Sequence, residues 1–217
     1  MLILIGRRLG KPSALVALVA LLGSLILSVR SALSLYTSHL TPHAWSFTWA
    51  SLGGKPFTLG LMMDPLSAVM SLVVTIVGFL IMLYSIGYMG EDARFSRFFA
   101  YLSLFFSAML LLVLADNLIL LYIGWEGVGL CSYLLISFWF ERPAAADAGK
   151  KAFLTTRVGD LGLLAAILIM AAITGDLSLT NLPAKSAALG PWVGAIALLI
   201  FWGAAGKSAQ FPLHVWL

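Results

Sequence analysis

Long continuous apolar runs, broken by short clusters of charged and turn residues, set the pattern of this chain. A membrane-spanning helix needs about 20 mostly apolar residues. Six runs meet that requirement: residues 13–36, 65–88, 98–115, 117–140, 148–174, and a sixth that starts near Pro191 and is interrupted after Trp202. Spanning strands do not fit, because barrel strands alternate apolar and polar residues over about ten positions. Backbone groups in hydrocarbon are satisfied only in helices and closed barrels. The pattern therefore predicts an all-α, polytopic transmembrane helix bundle with a broken helix near Gly203–Pro212. Pro65 suits the first turn of the second helix with Asp64 as its cap. Asp116 and Asn117 mark a tight turn between the third and fourth helices, and capping is the expected role of Asp116.

Composition strengthens this reading. The chain has 217 residues, of which 61% are hydrophobic and 10% charged, against roughly 45–50% and about 25% in soluble domains. The net charge of +4 is spread along the loops, so there is no basic patch for nucleic acid. Cys131 is the single cysteine; it forms no internal disulfide, and no Cys/His spacing suggests a metal site. No Gly-rich phosphate loop and no nucleophilic triad is present. Arg7, Arg8 and Lys11 precede the first apolar run as in a signal peptide. That run exceeds the usual apolar core of such a signal, however, and no small-residue cleavage site follows, so a retained helix is expected. The five residues before the arginines look like the stub of an earlier helix.

Orientation follows from Lys and Arg alone. Arg7, Arg8, Lys11, Arg94, Arg97, Arg142, Lys150 and Lys151 fall on one side; Lys55, Lys185 and Arg30 fall on the other. The first side is expected to be cytoplasmic, in a multi-pass protein of the cell's inner (plasma) membrane. The stretch of residues 37–64 reads as an outer loop with His39, His43, Trp45 and Trp49. Pro42 argues against a helix there, and interfacial aromatics explain it better than a metal held by two histidines.

Four ionisable residues lie inside predicted helices, where a charge costs at least about 2.5–3.5 kcal/mol. Glu126 lies nine residues past Asn117, which is about 14 Å along a helix axis and close to the midplane. Gly124, Gly127 and Gly129 surround it and let a neighbouring helix approach. A carboxyl in that setting is suited to exchange a proton; a structural interhelical hydrogen bond is the plainer alternative. Arg157 and Asp160 share a helix face and are expected to pair with each other or with Glu126; a purely structural ion pair is the competing account. Lys207 is flanked by Gly203, Gly206 and Pro212, the sign of an interrupted helix at a membrane site, with snorkelling to the interface as the alternative. Ser208 and Gln210 add polar groups. His214 is either a proton relay or a packed histidine. Met62, Met63 and Tyr84 read as packing residues.

These residues carry a resemblance. Residues 122–136 (Tyr-Ile-Gly-Trp-Glu-Gly-Val-Gly-Leu-Cys-Ser-Tyr-Leu-Leu-Ile), 157–160 (Arg-Val-Gly-Asp) and 206–217 (Gly-Lys-Ser-Ala-Gln-Phe-Pro-Leu-His-Val-Trp-Leu) closely resemble the antiporter-like L subunit of respiratory complex I, the bacterial NADH–quinone oxidoreductase; Asp64-Pro-Leu-Ser is similar to that family's early helix. The resemblance implies a proton-translocating membrane subunit in which Glu126 and Lys207 form the charge pair of a proton half-channel, with Arg157 and Asp160 as modulators. It implies other membrane subunits as partners, protons or Na⁺ as the moved ion, and no redox cofactor in this chain, quinone reduction lying elsewhere in the enzyme. It also implies that residues 1–217 are a single membrane domain, the N-terminal part of a larger subunit that continues beyond Leu217. Two other readings share some of these features. One is the large subunit of a multisubunit cation/proton antiporter, or of a related hydrogenase or inorganic-carbon uptake complex. The other is a non-transporting scaffold subunit.

Overall fold

In the second predicted helix the small and hydroxylated residues recur at helical spacing, and in the computed structural model they form the buried face: Ser67, Ala68, Ser71, Thr75, Gly78, Met82 and Ser85. The large apolar residues Leu66, Val69, Val73, Leu80 and Tyr84 are exposed. A water-soluble helix shows the reverse. Lipid tails are as apolar as leucine, so small residues that permit close approach go inside. The buried hydroxyls satisfy themselves on their own helix: Ser71 Oγ donates to Ala68 O at 2.9 Å and Thr75 Oγ1 to Ser71 O at 2.7 Å.

Residues 10–52 and 55–217 are described. Arg7, Arg8 and the Lys55 side chain, which entered the charge count, lie outside that description. Helix α1 is Pro12–Thr37. A two-stranded antiparallel sheet follows, β1 His43–Leu52 and β2 Lys55–Met63, with His43 opposite Met63 and an irregularity between Thr48 and Ala50. Then come α2 Pro65–Tyr88, α3 Phe95–Leu114, α4 Leu118–Ile136, α5 Pro143–Thr174, α6 Leu182–Leu189, a 3₁₀ turn Gly190–Trp192, and α7 Val193–Lys207. Among the described residues six helical segments are long and apolar enough to cross a membrane, the last running Leu182–Lys207. The protein is a polytopic membrane helix bundle.

Several expectations need correction. Residues 37–64 are not a plain loop. Positive φ at His39 (55°) and Leu40 (62°) turns the chain out of α1, and alternating Trp45, Phe47 and Trp49 then build a hairpin with exposed aromatics. Helix α3 begins at Phe95, ahead of the expected residue 98, and α4 stops at Ile136, short of residue 140. Ser137 Oγ donates back to Tyr133 O at 2.6 Å at that stop. Helix α5 begins earlier than expected because Pro143 occupies its first turn. The sixth segment begins at Leu182, well before Pro191, and is helical through Lys207, so the break expected near Gly203–Pro212 falls at Lys207, a little beyond Trp202. The glycines of α7 serve packing, and the helix ends at Lys207. Asp64 caps α2 as expected, accepting from Ser67 N at 2.7 Å. Asp116 caps nothing: Asn117 is the cap of α4, accepting from Ile119 N and Leu120 N.

Two larger apolar cores organise the described residues of the bundle, with a small one at Leu35, Met63 and Ala68. One joins α1, α2 and α3 through Leu21, Met82, Phe99 and Phe106, with Phe138 beyond α4. The other joins α4, α5, α6 and α7 through Leu118, Leu163, Ile167, Met170, Leu189 and Ile196. At one end Lys11, Arg94 and Arg97 line one polar cavity, and Arg94 pairs with Glu141 at 2.5 Å. At the other end the hairpin, the α3–α4 turn and the α5–α6 connection meet. Asp116 N donates to Gly60 O at 3.2 Å and Leu118 N to Leu177 O at 2.9 Å. A Cβ on Gly60 would run into the Asp116 carboxylate and Ser46 Cβ, so a larger residue there requires both side chains to shift.

In the α5–α6 connection Asp176 accepts from Lys185 Nζ at 2.8 Å, from Ser178 N at 2.9 Å and from Asn181 Nδ2 at 3.0 Å. The Lys185 ammonium first, then the Ser178 and Asn181 donors, hold its carboxyl down at about 2. A carboxyl depressed in the folded state stabilises fully above its ordinary value near 3.8 and loses that contribution as pH falls toward about 2. Thermal unfolding of Asp176→Asn should therefore lie below that of the parent by a constant margin above pH 5, and the margin should shrink below about pH 4. A margin unchanged by acid would contradict this assignment.

Candidate functional site

Helix α5 brings Arg157 and Asp160 into the bundle one turn apart, and a lipid-spanning helix must compensate both charges. Its buried face is Thr156, Gly159, Asp160, Gly162 and Leu163. Helix α7 lies directly on it. A Cβ on Gly206 would come 3.1 Å from Gly159 Cα, and a Cβ on Gly203 would come 2.9 Å from Leu163 Cβ. Helix α4 also packs on α5, and its glycines face α3 and α7. A Cβ on Gly124 would come 2.7 Å from the Leu112 backbone nitrogen of α3, and one on Gly129 would come 2.6 Å from Lys207 Nζ. The glycines around Glu126 and Lys207 thus set how near α3, α4, α5 and α7 approach.

Two ion pairs form at this meeting. The Arg157 guanidinium pairs with Glu126 Oε2, and its Cζ also lies 4.6 Å from the Phe153 ring centroid. Lys207 Nζ donates to Asp160 Oδ2 at 3.4 Å. Asp160 is the most enclosed member, its side chain 1% exposed, against 19% for Lys207, 19% for Glu126 and 34% for Arg157. Charge-assisted pairing of this kind is what keeps buried ions affordable. Glu126 Oε1 is buried and has no hydrogen-bond partner among the described residues. The structure thus brings Glu126, Arg157, Asp160 and Lys207 into one cluster. It pairs Glu126 and Lys207 each with a residue of α5, not with one another.

The chain leaves α7 at Lys207, where a cation suits the helix C-terminus. Ala209 adopts a positive φ of 52°. Gln210 N returns to Ala205 O at 2.9 Å and Trp216 Nε1 donates to Gly206 O at 3.0 Å, satisfying carbonyls that the helix end leaves open. His214 is not in the cluster; it is exposed and stacks on Phe211 with ring centroids 5.7 Å apart. A cavity of about 460 Å³ adjoins Lys207 and is lined by Trp125, Gly129, Ser132, Tyr133 and Thr156 among mostly apolar residues. His39 is exposed and His43 lies against Trp45. Among the described residues no group of three potential metal ligands is present.

Sequence reasoning missed Trp125. Its Nε1 donates to Asp160 Oδ1, and Lys207 Nζ lies 5.6 Å from its ring centroid. The available signal was its position beside Glu126, the single charged residue of α4.

Comparison with known proteins gives consistent matches. Residues 115–217 match the profile described as "NADH:quinone oxidoreductase/Mrp antiporter, TM", and residues 49–99 match "NADH-Ubiquinone oxidoreductase (complex I), chain 5 N-terminus". The chain is 50% identical over 179 residues to NADH-quinone oxidoreductase subunit L of Mycobacterium tuberculosis, covering 81% of this chain and 28% of that protein. It is 48% identical over 209 residues to the chloroplastic NAD(P)H-quinone oxidoreductase subunit 5 of Mesostigma viride, covering 92% of this chain and 32% of that protein. The solved Mrp complex from Dietzia sp. contains a chain that superposes with a TM-score of 0.76 at 31% identity, over 100% of this chain and 24% of that one. The chain therefore spans 28% and 32% of the lengths of these two curated relatives.

Removing Asp160 leaves Lys207 and the Trp125 N–H without their partner, so Asp160→Ala should destabilise the protein by about 3–5 kcal/mol. The Lys150–Asp147 pair has side chains 63% and 74% exposed, and Lys150→Ala should cost about 0–1 kcal/mol. Unfolding temperatures of the two purified variants test the ranking, and equal losses would contradict it.

Proposed function

The chain belongs to the antiporter-like membrane-subunit family of NADH:quinone oxidoreductase and Mrp antiporters, its homologues being L or chain 5 subunits, and from that premise we propose that it carries a proton half-channel of a larger proton-translocating subunit. The observation that carries this reading is the cluster of four ionisable side chains at the α4–α5–α7 meeting, linked as Glu126–Arg157 and Asp160–Lys207. Ionisable residues at membrane depth are costly and mark ion pathways.

In this reading Lys207 alternates between two partners. Held by Asp160, it leaves Glu126 to Arg157. Drawn toward Glu126, it changes the field on that carboxyl, and the two groups titrate as a coupled pair. Glu126 and Lys207 are the exchanging groups; Arg157 and Asp160 modulate them. His214 serves the pathway only through a continuation beyond Leu217. Partners are the other membrane subunits, and the driving redox chemistry belongs to other parts of the enzyme. The end bearing Lys11, Arg94, Arg97 and Arg142 faces the cytoplasm, in the inner membrane, by the excess of positive residues there. Residues 1–217 act as a single membrane domain of that subunit.

The 31% identity to a chain of the Dietzia Mrp complex across the whole length supports a second reading, in which the same cluster serves a cation/proton antiporter. Dependence on NADH separates the two. In the full-length subunit within its complex, Glu126→Gln should lower NADH-driven proton uptake by about tenfold, the effect of ~1.4 kcal/mol on a transfer step, while assembly is retained. Unchanged uptake would remove Glu126 from the path. Uptake that never depends on NADH would favour the antiporter.

A further inference from the structure

Consecutive residues of α4 grip residues three apart on α5. Glu126 takes Arg157, and Trp125 takes Asp160 through its indole N–H. The same indole presents its face to Lys207, whose ammonium lies 5.6 Å from the ring centroid. One side chain thus touches both members of the Asp160–Lys207 pair, edge to the anion and face to the cation. The arrangement is directional, because an aromatic edge is positive and its face negative. Gly129 lies one helical turn further along α4, on the same face as Trp125. A Cβ there would come within 2.6 Å of Lys207 Nζ, so the ammonium is seated between the indole and the bare backbone of α4.

We propose that Trp125 is a positioning residue that holds Lys207 in its Asp160-paired state, so that Lys207 reaches Glu126 only by giving up the indole face together with the carboxylate. This rests on the half-channel reading above. Asp160 Oδ2 faces the lysine and Oδ1 faces the indole N–H; loss of the N–H frees the carboxylate to turn and weakens its grip on Lys207. Loss of the ring removes the seat of the ammonium as well. The groups facing Lys207 are then Asp160 and Trp125, with Arg157 and Glu126 forming the neighbouring pair. Trp125 exchanges no proton itself. It sets the relative stability of the two positions of the lysine, and so the fraction of turnovers in which redox chemistry moves a proton.

The test uses the full-length subunit in its complex. Trp125→Phe keeps a ring and removes the N–H; Trp125→Leu removes both. Proton uptake in membrane vesicles is measured relative to electron transfer, at matched amounts of assembled subunit. Proton uptake per electron is expected to fall at least about threefold in Trp125→Leu and by a smaller factor in Trp125→Phe, as expected for losing one charged hydrogen bond and then the face as well. A tryptophan that only packs would lower the amount of assembled subunit and leave the ratio untouched; that result, or an unchanged ratio in both variants beside a defective Glu126→Gln, overturns the role of Trp125 while sparing the half-channel. An unaffected Glu126→Gln overturns the half-channel itself and takes the Trp125 role with it.

Discussion

The arrangement of this protein depends on one constraint: α5 carries a guanidinium and a carboxylate through an apolar medium, and neither can be left unpaired. Asp160 is almost wholly enclosed, so its partners must come from other helices, not from water. Lys207 of α7 and Trp125 of α4 supply them, and Glu126 of α4 answers Arg157. The charges therefore fix which helices are neighbours. They contribute specificity more than stability, since a buried pair roughly offsets its own desolvation.

Close helix approach is the condition for that pairing. Lys207 sits at the end of α7, and its ammonium reaches Asp160 because Gly206 meets Gly159 with backbone against backbone. Gly129 leaves the gap in which the ammonium rests. A larger residue at any of these points would lengthen the contacts that the ions require. Glycine costs helix stability in water, but in lipid the backbone hydrogen bonds are kept in any case, and the gain in packing dominates. The second core, built from Leu163, Ile167, Met170 and Ile196, seals the same helices beyond the charged layer. The hairpin and the α5–α6 connection tie the bundle at its far end, where Gly60, Asp116 and Asn117 form a polar knot. The helices that position the ions are thus the same ones that the second core and the glycine contacts hold together.

The chain's order along the membrane was legible because the solvent is lipid. Continuous apolar runs state where the spans are, and Pro65 and the Asp116–Asn117 turn mark helix starts through chemistry that acts locally; Pro143 carries the same kind of signal but was overlooked, so the start of α5 was placed too late. Glu126, Arg157, Asp160 and Lys207 stood out for the same reason, as charges in places where charge is costly. The hairpin of residues 43–63 was not legible. Its alternating aromatics are exposed and its register is set by pairing between strands, information that no single segment carries. The early end of α4 was also missed, and the break near Gly203–Pro212 was legible only as a window: Gly203 and Gly206 signal it by local propensity, yet both lie inside α7 and pack against α5, and the helix ends at Lys207.

By itself, then, the sequence determined the solvent, the number and order of spanning helices, and the identities of the ions that must be compensated. These follow from transfer free energies, which each segment carries alone. Only the tertiary structure decided the partners. Glu126 faces Arg157, Lys207 faces Asp160, Trp125 joins the second pair, and His214 stays outside. Pairing depends on the rotation and separation of α4, α5 and α7. Those are set by glycine contacts between segments far apart in the chain, and no local rule specifies them.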